Sequence, residues 1–125
     1  MAIYTNLPIY KDAYLLLLAT SKLMPNLPRD CRYTLGQDTR RKVMELIVLI
    51  YRANRTTYKA KIISDMRELL LETQVYLRLM SDMRYMPEKK YLEFAEHTAN
   101  MSKQLVAWEK SELQRKQVGQ YSSKE

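Results

Sequence analysis

The chain has 125 residues, a formal net charge of +7, 46% hydrophobic residues, two Gly, four Pro and one Cys. That length suits one domain burying roughly two-thirds of its unfolded surface, and scarce Gly with abundant Leu, Met, Lys, Arg and Glu favours helix over sheet. Lone Cys31 excludes an internal disulfide; with no charged-then-apolar leader at the N-terminus, a cytoplasmic protein is expected.

The charge is localised. Residues 1–28 carry two Lys against one Asp, and residues 62–125 carry ten charges of each sign. Residues 29–61 hold nine basic residues against Asp30, Asp38 and Glu45, a net +6. A concentrated positive stretch is the footprint expected for a polyanion or an acidic partner; the plainer alternative is a solvated helix face. Ten Tyr stand against one Phe and one Trp. A tyrosine buries its ring and wets its hydroxyl, which suits interfaces as well as cores.

In chain order, residues 1–7 read as an irregular arm, 8–114 as a four-helix bundle and 115–125 as a polar, disordered tail. Pro8 suits the first turn of helix 1, where its missing N–H costs nothing. That helix runs to about Met24 with Ala13, Leu16, Leu17, Thr20 and Leu23 inward, and Leu15 and Leu18 broaden the stripe. Pro25-Asn26-Leu27-Pro28 stops it. Helix 2 begins near Pro28 or Asp30 and ends near Asn54, about 39 Å long. Thr34 and Gln37 have capping-box spacing, so a break at Thr34-Leu35-Gly36 is an alternative. Gly36 inside a helix costs up to about 1 kcal/mol, and close backbone packing is the reason to keep it.

The most telling stretch is Val43 to Tyr51, nine residues with one charge. It is far too short for a bilayer, which needs about 20. Val43, Leu46, Ile47 and Ile50 fall on one helical face, Met44, Val48 and Tyr51 on a second, and Leu49 on a third. A helix apolar nearly all round is buried nearly all round. A second copy of the chain is the cheapest cover, which makes Met44, Val48, Leu49 and Tyr51 the candidate oligomer interface.

Thr56 or Thr57 is expected to cap helix 3, which runs to about Arg84. Its seam is Ile62, Met66, Leu69, Thr73, Tyr76, Met80 and Met83, flanked by Ile63, Leu70 and Leu77. Helix 4 starts at Pro87 and repeats the pattern through Tyr91, Phe94, Thr98, Met101, Leu105 and Trp108 to about Glu112. Helices joined by such short connections run antiparallel. The expected fold is all-α, an up-down-up-down antiparallel four-helix bundle.

Chemistry is poorly provided for. A di-iron bundle needs two Glu-x-x-His motifs; this chain has only His97, four residues from Glu93. A Cys–His pair would need Cys31 and His97 adjacent, and they belong to different helices. No phosphate-cradling Gly loop is possible with Gly36 and Gly119 alone. Glu93 and Glu96 read as a solvated face, and the seam methionines as core filling. No enzyme, metal or cofactor is expected. The basic residues remain: Arg41, Arg52 and Arg55 line up within about 60° on helix 2, beside Arg40, with Lys59 and Lys61 beyond the turn. These six are the candidate phosphate contacts, poor in sequence readout, and no aromatic stacking platform is evident beside them.

The segment Leu27-Pro28-Arg29-Asp30-Cys31-Arg32-Tyr33-Thr34-Leu35-Gly36-Gln37-Asp38-Thr39-Arg40-Arg41, with the helix 4 start Tyr91-Leu92-Glu93-Phe94-Ala95, resembles a small four-helix-bundle family. That family includes ribosomal RNA intervening-sequence proteins and the accessory variability determinants of diversity-generating retroelements. The first branch continues with a Ser-Ile-Pro-x-Asn-Ile-x-Glu-Gly run. Here residues 44–54 lack the Pro and the Glu-Gly end, which favours the retroelement branch. The resemblance implies a homopentameric, positively charged barrel of bundles. It also implies association with a reverse transcriptase and its template RNA in mutagenic copying, with basic positions at Arg40, Arg41, Arg52 and Arg55. The resulting expectation is a non-catalytic basic oligomer binding reverse transcriptase and RNA or DNA. A protein–protein adaptor of the intervening-sequence type, without a nucleic-acid role, is the alternative.

Overall fold

The computed structural model describes residues 3–123, with side chains as far as Arg115. Pro8 opens helix α1, Pro8–Leu23, from Leu7 in extended conformation. A 3-10 turn, Met24–Asn26, ends it. Helix α2 spans 29–55 as a continuous run in three pieces: Arg29–Cys31, a π-helical turn Arg32–Gly36, and Gln37–Arg55. Helix α3 is Ala60–Asp82 and helix α4 is Glu88–Ser123. Each helix packs on two others in a closed cycle, α1 on α2, α2 on α3, α3 on α4 and α4 on α1. No strand occurs among the described residues.

The corner between α1 and α2 explains why α2 widens instead of breaking at residues 34–36. Arg32 turns back and donates to the carbonyls of Met24 (3.1 Å), Pro25 (3.0 Å) and Leu27 (3.2 Å). These carbonyls lie at and just after the end of α1, where Met24 O already accepts from the Leu27 N–H at 3.2 Å; the guanidinium adds a charged donor that opposes the helix dipole. Thr34 does not cap Gln37; its hydroxyl donates to Asp30 O at 2.6 Å. Gly36 is there for close approach: a Cβ would lie 2.8 Å from both Leu27 Cδ1 and Met24 Sδ.

The core draws on all four helices, with Leu16, Val43, Leu46, Ile50, Ile63, Met66, Met80, Phe94, Met101 and Leu105 inaccessible to solvent. Each helix also buries one threonine whose hydroxyl donates to its own helix: Thr20 to Leu16 O, Thr39 to Leu35 O, Thr73 to Leu69 O and Thr98 to Ala95 O. These hydroxyls enter the core without asking anything of a neighbouring helix.

Several boundaries move. The expected Thr56 or Thr57 cap is absent: Thr56 Oγ1 donates back to Arg52 O at 2.7 Å, and α3 starts from Lys59. The α3 seam is wider than expected: Met66, Leu69, Thr73 and Met80 are buried and so is the flank Ile63, Leu70 and Leu77, while Met83 is exposed. The backbone of α4 stays helical to Ser123, past the expected end near Glu112 and through most of the stretch read as a disordered tail; residues 124–125 lie outside the described residues. Residues 113–118 contain neither Gly nor Pro, so nothing in them stops a helix. The N-terminal arm is a 3-10 turn, Tyr4–Asn6, held by ring contacts of Tyr4.

α3 ends in a Schellman motif, with Tyr85 N–H donating to Met80 O and Arg84 N–H to Ser81 O, both at 2.9 Å. Arg84 occupies the left-handed position with φ 63°, where a side chain costs about 1 kcal/mol relative to glycine. Arg84→Gly should therefore raise stability by about 0.5–1 kcal/mol, read as a higher urea midpoint with an unchanged slope.

Candidate nucleic-acid interface

Burying Val43, Leu46, Ile47 and Ile50 fixes the rotation of α2 and turns the opposite face outward. Leu49, expected at an oligomer interface, is 8% exposed and belongs to the subunit's own core. It leaves the candidate contact. Met44, Val48 and Tyr51 stay outside at 47%, 42% and 41% exposure. Leu15, Leu18 and Tyr14 of α1 extend the exposed apolar surface.

The six basic residues divide into three kinds. Arg40, Arg41, Arg52 and Arg55 are exposed. Arg41 lies 3.7 Å from Asp38, a loose surface contact, while among the described residues no carboxylate pairs with Arg40, Arg52 or Arg55. Arg55 sits with its guanidinium carbon 5.2 Å from the centre of the Tyr51 ring and donates to the Tyr51 hydroxyl. Lys59 serves the fold. Its ammonium donates to Ala53 O at 2.6 Å and to Thr56 O, closing the C-terminus of α2. Lys61 pairs with Asp65 at 2.8 Å, and that hydrogen bond raises its pKa.

Lys42 is also committed: it meets Glu72 of α3 at 2.7 Å and lies 5.3 Å from the Tyr76 ring centre. The bond to Glu72 pushes its pKa up. Between α1 and α2 opens a cleft of about 450 Å³ lined by Leu17, Ser21, Gln37, Arg40, Arg41 and Met44. The open guanidiniums thus stand at both ends of the Met44–Tyr51 strip, Arg40 and Arg41 before it and Arg52 and Arg55 after it.

The residues weighed for chemistry go elsewhere. His97 Nδ1 meets Asp12 Oδ1 at 3.2 Å, and Gln104 Nε2 donates to Asp12 Oδ2 at 2.9 Å, a half-buried tie between α1 and α4. Cys31 is buried, and burial pushes its thiol pKa up, the opposite of nucleophile activation. Among the described residues no cluster of His, Cys, Asp and Glu could hold a metal, and no helix is long and apolar enough to cross a membrane.

Two features escaped the sequence reading. Asp12 carried no visible partner because its contacts lie on the last helix. The second is an exposed row on α3, Leu71, Val75, Leu79 and Met83. Its strict spacing of four was readable, and it was missed because the inward seam runs along the same helix. Lys59→Ala should lower stability by about 1 kcal/mol, since the carbonyls of Ala53 and Thr56 lose a charged donor at the end of α2; a thermal melt would register a lower Tm.

No curated protein matches the chain. The model of the bAvd-like family matches residues 11–112, from the first turn of α1 well into α4. That span takes in all four helices and the whole α1–α2 corner, and the chain belongs to the bAvd-like family, that of the accessory variability determinants.

Proposed function

We propose that this protein is a non-catalytic accessory subunit of a diversity-generating retroelement, acting in the cytoplasm. In this reading it forms a basic oligomer that holds template RNA or DNA and the reverse transcriptase together during mutagenic cDNA synthesis. The observation that carries the reading is the outer face of α2, where Arg40, Arg52 and Arg55 flank an exposed Met44–Val48 strip and, among the described residues, pair with no carboxylate. An isolated guanidinium is weakly hydrated and reaches phosphate in a bidentate fork. Arg41 belongs to the same contact, and Lys61 adds field at its edge; Lys59 acts through the fold.

The helices alternate up-down-up-down in this reading, in keeping with the cross-helix pairs Lys42–Glu72, Arg67–Glu109 and Asp12–Gln104. The bundles assemble as a pentameric ring. A ring needs two different surfaces per subunit. Met44 and Val48 supply one, and Leu71, Val75 and Leu79 supply the other.

Arg40→Glu with Arg52→Glu should weaken RNA and DNA binding and flatten the salt dependence, by about 0.7–0.9 in log–log slope for each phosphate contact removed. Unchanged affinity and slope in a salt titration would overturn the contact. No nucleic-acid binding by the unaltered protein at physiological salt would favour the protein–protein adaptor. Val48→Asp should give smaller particles by light scattering, with the helical circular dichroism kept.

A further inference from the structure

The arm, α1 and the end of α2 bring four tyrosines into one row. Tyr4 meets Tyr51 edge-on, ring centres 5.1 Å apart at 83°, and meets Tyr10 edge-on at 5.3 Å and 87°. Tyr10 in turn lies nearly parallel to Tyr14, 6.1 Å apart at 21°. The inner pair, Tyr4 and Tyr10, is half-buried. The outer pair is open, with Tyr14 at 48% and Tyr51 at 41% exposure. Beyond Arg55 the linker adds Tyr58 at 86%.

Pinning the arm requires only Tyr4, Tyr10 and Tyr51. Tyr58 takes no part in that task and Tyr14 joins it only by stacking on Tyr10, yet both leave much of a large ring in water. The end of α2 that carries Tyr51 also carries Arg52, which among the described residues has no carboxylate partner, and Arg55, whose guanidinium overlies Tyr51. Half-open aromatic rings beside guanidiniums that no carboxylate holds among the described residues are the combination that binds single strands, where rings and guanidinium planes stack on unpaired bases and cations follow the phosphates. A duplex keeps its base faces stacked inside and has nothing to offer the rings.

The geometry points to a base-stacking platform for a single-stranded polynucleotide, with Tyr14, Tyr51 and Tyr58 taking bases and Arg52 and Arg55 taking phosphates. This rests on the nucleic-acid part of the proposed function. It also moves Tyr51 from the subunit contact to the ligand and leaves Met44 and Val48 to the oligomer.

The test is fluorescence anisotropy on the full chain with labelled oligo-dT, oligo-U and an abasic sugar–phosphate strand of equal length. Base-bearing strands should bind about tenfold or more tighter than the abasic strand; a preference between dT and U reflects the 2′-hydroxyl or the thymine methyl and supports stacking either way. Tyr14→Leu and Tyr58→Leu should each weaken oligo-dT binding about tenfold and leave the abasic strand unchanged. Tyr14→Phe and Tyr51→Phe should keep the affinity. Tyr58 lies outside the core at 86% exposure, so loss of folding does not obscure that arm. Equal binding of abasic and base-bearing strands, or the same loss on both in the Leu variants, overturns the platform alone. Failure of the unaltered protein to bind any strand overturns the platform and the nucleic-acid reading together.

Discussion

The burial of Val43, Leu46, Ile47, Leu49 and Ile50 sets the rest of the structure. Each such side chain contributes about 1.5–3 kcal/mol when removed from water, far more than any surface pair on the same helix. Five of them on α2 leave that helix one rotation about its axis. Once it is set, Met44, Val48 and Tyr51 must face outward, and so must Arg40, Arg41, Arg52 and Arg55. The arginines are therefore positioned by greasy residues on the far side of their own helix, and the outward charge is a by-product of the inward packing.

The polar side chains that tie the helices together are few and peripheral. Arg32 closes the α1–α2 corner, Lys42 bridges α2 to α3, Arg67 meets Glu109 between α3 and α4, and Asp12 joins α1 to His97 and Gln104 of α4. Each adjacent pair of helices receives at least one such tie, and Arg78 of α3 adds a second to α4 through Tyr91. Inside, the four threonines bond only within their own helices. Choice of neighbour thus depends on shape in the centre and on single polar contacts at the edges, a division that leaves the outer faces of α2 and α3 uncommitted.

The helices, their approximate ends except that of α4, and most of the core were legible in the chain because apolar spacing reports directly on burial. Phe94, Met101, Leu105 and the inner stripe of α1 sit where the pattern puts them. Legibility failed where a residue's role depended on a partner distant in sequence. Leu49 looked surplus on a helical wheel because the wheel assumes a narrow core, whereas the buried face of α2 runs from Ile47 round to Leu49 between α1 and α3. Lys59 looked like a phosphate contact because its charge is visible in sequence and the helix-terminal carbonyls it closes are not. The tyrosine row was invisible for the same reason: Tyr4, Tyr10, Tyr14 and Tyr51 come from three segments, and only folding makes them adjacent.

The widened turn at Arg32–Gly36 has a bearing on how α2 tolerates insertion and loss. A π-helical turn is a single surplus residue absorbed without breaking the helix. Removing one residue from it would let ordinary α-helical winding resume and swing everything upstream by about 100° around the axis. Cys31 would leave the interior, and the Arg32 guanidinium would no longer point at the end of α1. The surplus residue is thus the phase adjuster between the two parts of the helix, aligning the corner-closing segment with one neighbour and the arginine-bearing segment with the outside.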